Sequence, residues 1–127
     1  MNRPAHFEFH TGNPERAIAF YGAIFGWKFQ KWDGPIDYWV IRTGEGPGID
    51  GGLVRRHGAA PVEGQAVNAY INTIKVPSCD GAVSAITANG GVIALPKIVL
   101  PGMGWLAHGK DPDGNIFGVM QDDATAR

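Results

Sequence analysis

Three ionisable side chains stand at every second position near the start of the chain: His6, Glu8 and His10, in the stretch "HFEFHT". Their alternation with Phe7 and Phe9 reads as a half-buried strand. The period of two then puts the three polar groups on one face and the two phenylalanines on the other, packed under a helix. Imidazole and carboxylate groups sharing a face can hold a polar ligand, move a proton or supply ligands to a metal. A carboxylate beside a histidine favours the imidazolium unless burial outweighs the pair. His6, Glu8 and His10 are therefore the leading candidates for ligand binding.

Elsewhere the chemistry is thinner. The closing stretch "DPDGNIFGVMQ" is a polar turn followed by a short strand, and Gly118 sits in that strand where a reactive side chain could have been. Cys79 follows Ser78 at a helix start, where the helix dipole can lower a thiol pKa. Its helical phase with Ala82, Val83 and Ile86 instead predicts a buried, inert thiol. His108 lies three residues from Trp105 in "GWLAHGK", so the two face opposite sides of a strand, and a single histidine there is more often structural or exposed than a general base. His57 reads as a loop residue. "TGEGPGIDGG" lacks the order of a phosphate loop and leads into a strand, so it reads as a flexible turn. No Ser-His-Asp order with a nucleophile elbow occurs. Trp27, Trp32, Trp39 and Trp105 lie in strands or at strand starts, and alternate positions on a curled sheet face its cavity. Trp105 joins His6, Glu8 and His10 as a candidate lining residue. Such an aromatic cavity with a few polar groups suits a flat or hydrophobic small molecule.

The elements that must position these residues form a repeat. After "HFEFHT", Asn13 is placed to cap a helix, Pro14 suits its first position and Gly26 ends it, with Ala17, Ile18, Tyr21 and Phe25 at helical spacing. "WKFQKW", "DYWVIRT" and "GGLVRR" then read as three strands. The order recurs. "NAYINTIKV" is a strand, "SCDGAVSAITANGG" a helix capped by Ser78 and stopped by Gly90-Gly91, and "VIALP", "GWLAHGK" and "NIFGVMQ" are three more strands. Sliding the first half by 65 positions sets Ala17-Ile18 on Ala82-Val83 and Gly26 on Gly91. The reading is one domain of residues 1–127, with a first module over about 4–57, a seam over 58–66 and a second module over about 67–122.

Composition narrows the class. At 127 residues the chain can bury a core of its own, and its 19 glycines and 9 prolines suit a strand-rich fold with many turns. A net charge of −1 leaves no electrostatic footprint for nucleic acid or an anionic membrane. A single cysteine excludes an intramolecular disulfide, no apolar run approaches the roughly 20 residues of a membrane span, and the N-terminus lacks a signal-peptide core. A soluble, cytoplasmic protein is expected, with no nucleic-acid or membrane partner.

The doubled strand-helix-three-strand pattern, opened by "NPERAIAFYGAIFGWKF" and closed by "DPDGNIFGVMQ", resembles the vicinal oxygen chelate superfamily over essentially the whole chain. That superfamily includes lactoylglutathione lyase, extradiol dioxygenases and bleomycin-resistance proteins. The resemblance implies an α+β fold in which two βαβββ modules form curled mixed sheets around a cavity, helices outside, with pairing as a homodimer. It also implies a divalent metal held by the first and last strands of both modules. Here His6 matches the first position; the others fall near Leu53, near Ile71 and at Gly118, none of which can bind a metal. The expectation is a protein that binds a small organic molecule, without a cofactor and without the usual metal centre. The alternatives are a metal-dependent lyase, isomerase or dioxygenase using His6 and Glu8, and a structural or regulatory dimer with no catalysis.

Overall fold

The structure is a computed structural model that describes residues 1–66, 70–110, 112 and 115–127. The strands are β1 (Arg3–Thr11), β2 (Lys28–Lys31), β3 (Tyr38–Arg42), β4 (Asp50–Arg55), β5 (Ile71–Lys75), β6 (Val92–Leu100), β7 (Gly104–Lys110) and β8 (Ile116–Asp122). Helix α1 (Pro14–Phe25) lies between β1 and β2, and α2 (Cys79–Ala88) between β5 and β6. The order βαβββ thus occurs twice, as the repeat predicts. The chain divides into an N-terminal unit, His6–Tyr70, and a C-terminal unit made of Met1–Ala5 with Ile71–Arg127. The stretch between β4 and Tyr70 contains no helix or strand among its described residues.

In the N-terminal unit the strands lie in the order β2-β3-β4-β1. β1 runs parallel to β4, and the other neighbours are antiparallel. Phe7, Phe9, Ile41 and Leu53 form the buried core, with Ala17, Ile18 and Tyr21 of α1 packed on it. The helix starts where the sequence dictates: the Asn13 side chain accepts a hydrogen bond from the Arg16 N–H at 3.1 Å, and Pro14 needs no partner at the first position. It stops at Gly26, whose left-handed backbone (φ 72°) costs glycine nothing.

The C-terminal unit repeats the plan in the order β5-β8-β7-β6, with β5 parallel to β8. Val76, Cys79, Ala107 and Val119 are its buried core, with Ala82 and Val83 of α2 against them. Ser78 caps α2 by accepting from the Gly81 N–H at 3.0 Å. β6 runs on through Pro96 to Leu100, past the "VIALP" the sequence suggests, with register shifts between Ile93 and Ile98. β6 is the last strand of this order, so the missing N–H of Pro96 breaks no ladder on that side.

Candidate functional site

The alternation of β1 decides which side chains share a face. Phe7 and Phe9 are buried in the helix-side core, so His6, Glu8 and His10 lie on the other face. The parallel pairing sets His6 beside Asp50 and Glu8 beside Gly52. Tyr38, from β3, occupies the space over Gly52: a Cβ built there would overlap its hydroxyl. From that position the Tyr38 hydroxyl lies 3.2 Å from His6 Nε2. Glu8 Oε2 lies 3.1 Å from His10 Nε2. His6 and Glu8 are half-buried, and His10 is exposed.

Burial sets the protonation here. It lowers the His6 pKa below the ordinary 6.5, against the weaker upward pull of the Glu8 and Asp50 charges. It also pushes the Tyr38 phenol up to about 12, with the Glu8 charge adding to the shift. The imidazolium that a Glu8 neighbour alone would favour therefore loses to desolvation. At neutral pH the phenol is protonated and His6 is neutral, and the two share one hydrogen bond through His6 Nε2. The arrangement offers a ligand one hydroxyl, one neutral imidazole and one carboxylate in a row.

A pH dependence follows. The folded His6 binds its proton less readily than the unfolded one, so stability falls as pH drops through 6.5 and stops falling below the folded value. Denaturant midpoints of the native chain are expected to fall between about pH 7.5 and about pH 5.5, and the fall to be smaller in His6→Gln. Asp37, Asp50 and Asp123, whose pKa values are lowered mainly by hydrogen bonds, lose their contribution only at more acid pH, so the two windows separate. An equal fall in both proteins would contradict the assignment.

The metal positions implied by the resemblance come out as follows. Leu53 is fully buried in the helix-side core, and the β4 position that faces the site beside Glu8 is Gly52, one position earlier. In the C-terminal unit, buried Thr73 pairs with Gly118 as Glu8 pairs with Gly52. A Cβ at Gly118 would lie 2.9 Å from Thr73 Oγ1 and 3.1 Å from the His108 ring, so these two side chains flank the glycine. Among the described residues no three His, Cys, Asp or Glu side chains converge to hold an ion. Two glycines at strand positions and a His6 nitrogen bonded to Tyr38 do not make the three-ligand set of a catalytic zinc.

The remaining candidates are placed elsewhere. Trp105 packs in the core under α2 with Nε1–H donating to Asp123 Oδ2 at 3.1 Å, on the opposite face of β7 from His108. Cys79 is fully buried, and burial raises its thiol pKa. His57 is exposed between elements. The glycine-rich stretch is tied rather than loose: the Thr43 N–H and hydroxyl both donate to Asp50 Oδ1, at 2.9 and 3.1 Å. The turn of "DPDGN" has residues 111, 113 and 114 outside the described ones. Sequence reasoning missed Tyr38 and Gly52. The signal was present in "DYWVIRT", where Tyr38 and Trp39 must face opposite sides of a strand.

No family model and no curated protein matches the chain by sequence. Solved structures do match its fold. A glyoxalase/bleomycin resistance protein/dioxygenase superfamily member from Vibrio splendidus superposes with a TM-score of 0.62 at 16% identity, covering 94% of this chain and 98% of that one. Methylmalonyl-CoA epimerase from Mycobacterium tuberculosis gives 0.63 at 12% identity, over 94% of this chain and 87% of that one. The 2,3-dioxygenase LapB from Pseudomonas sp. KL28 gives 0.63 at 12% identity over 98% of this chain, which spans 43% of the larger enzyme. With the doubled βαβββ order and a parallel first–last strand pair in each unit, the chain has the glyoxalase-like fold that these solved structures share.

Proposed function

We propose that the protein binds a small organic molecule on the face carrying His6, Glu8 and Tyr38, and does so without the superfamily's usual metal centre. The observation that carries the reading is the overlap at Gly52. A glycine stands where a β4 side chain would face the site, and Tyr38 fills its place and bonds His6. Burial pushes the phenol up to about 12, so it stays protonated at neutral pH, the form that bonds His6 Nε2. The homodimer belongs to the same proposal; Phe20 and Phe25, both exposed on α1, are apolar surface a second copy could cover. No helix among the described residues is long and apolar enough to cross a membrane.

A thermal-shift screen of small organic molecules tests the site. Compounds that stabilise the native protein are expected to bind about tenfold more weakly to both His6→Ala and Tyr38→Phe, the cost of one lost hydrogen bond to a partly buried group. Compounds whose affinity neither substitution changes would place the binding site elsewhere.

A further inference from the structure

One exposed aromatic residue borders this site and takes no part in the core. Trp32 follows β2, and its N–H donates to the Tyr38 carbonyl at 2.9 Å, so the two residues continue the β2–β3 pairing. Lys31 and Trp39, the preceding pair, lie on the helix side, where Trp39 packs on the core and the Lys31 ammonium sits 5.3 Å over its ring. Alternation therefore turns Trp32 and Tyr38 to the site face. The two rings meet edge to face, 6.0 Å apart. Trp32 nevertheless keeps 42% of its surface exposed. Its position is fixed from below, because the indole lies on Gly34, where any Cβ would overlap the ring.

The carboxylates that act on His6 and on Tyr38, the ring Trp32 meets, have one sign. Glu8 acts on both His6 and Tyr38, and Asp50 acts on His6. Among the described residues, the side chain bonded to Glu8 is His10, not a lysine or arginine. Of the nearby cations, Arg42 lies 3.5 Å from Asp50 and offsets part of that charge, while Lys31 and Arg55 pair with Asp37 and leave Glu8 to the site. The site thus combines an open indole face, a phenol and a carboxylate with no lysine or arginine bonded to it among the described residues. An anionic ligand would meet repulsion there, whereas a cation gains from the carboxylate and from the π-faces.

We propose that the ligand of this site is an aromatic organic cation, its ring laid on Trp32 and its positive nitrogen turned to Glu8. This inference rests on the reading that the His6–Glu8–Tyr38 face binds a small molecule. Gly34 is then a positioning residue, because it lets the indole lie flat beside the site.

Calorimetric titration with three probes of similar size tests the proposal: N-methylquinolinium, uncharged 2-methylquinoline at mildly alkaline pH, and naphthalene-2-sulfonate. The cation is expected to bind tightest, with affinity falling as salt rises. Glu8→Gln and Trp32→Leu should each weaken it roughly tenfold. Gly34→Ala, which displaces the ring without touching the core, should weaken the cation while leaving the thermal midpoint near that of the native chain. Equal or tighter binding of the sulfonate, or a cation affinity unchanged in Trp32→Leu and Gly34→Ala, overturns the inference and leaves the small-molecule reading standing. Binding of none of the three in a protein whose site also yields no ligand in the wider screen overturns both.

Discussion

Phe9→Ala is expected to destabilise the protein by about 3–5 kcal/mol, while Glu8→Ala, its neighbour in sequence, should cost less than about 1 kcal/mol. The difference comes from one strand's alternation. Phe9 is 7% exposed and lies among the rings of Tyr70, Tyr21 and Phe7, at 4.6, 4.8 and 6.4 Å. Truncation leaves a cavity that rigid aromatic neighbours cannot close, so the transfer and cavity contributions both appear. Glu8 bonds exposed His10 at solvent-accessible surface, and such pairs contribute little. Urea midpoints of the two variants measure the contrast. Similar losses in both would mean that β1 does not present one face to the core and the other to the site.

The same contrast is expected one strand away, with a functional consequence. Leu53→Ala should cost about 2–5 kcal/mol, because Leu53 is completely buried between β1 and β3 in the helix-side core. Gly52→Ala should cost far less, yet it should disrupt the site. The added methyl overlaps the Tyr38 hydroxyl, the far end of a side chain that can swing away, and the bond to His6 breaks as it does so. The expected signature is a near-native thermal midpoint together with ligand affinity as weak as in Tyr38→Phe. A Gly52→Ala protein that binds like the native one would show that Tyr38 does not need its place over the glycine.

Much of this was legible in the sequence, and particular residues show why. The doubled βαβββ order follows from caps and stops that recur in both halves: Asn13, Pro14 and Gly26 in one, and Ser78 with Asn89 and the left-handed Gly90 in the other. Local hydrogen bonds dictate such features, so they survive without tertiary knowledge. The split of Phe7 and Phe9 from His6, Glu8 and His10 needs only the period of a strand. What failed to show was register between strands. A β4 site position read only as near Leu53 leaves its face undecided, because a slip of one residue exchanges the core face for the site face. Trp105 was misjudged for a related reason: a strand's phase says which residues share a face, not which face the helix covers. The balance of forces on His6 was also hidden. Sequence shows the carboxylate two residues away, but only the packed strands show how much water is removed.

Metal analysis of protein purified without chelator, paired with thermal melts in divalent ions and in chelator, decides whether the His6–Glu8–Tyr38 face works without a metal. Substoichiometric metal is expected, with a melting midpoint unchanged by chelator or by added zinc, manganese or iron(II), and ligand binding that persists in chelator. One tightly held ion per chain, lost in both His6→Ala and Glu8→Ala and required for ligand binding, would contradict this expectation. That result would establish instead a metal centre completed by side chains other than those that converge at Gly52 and Gly118.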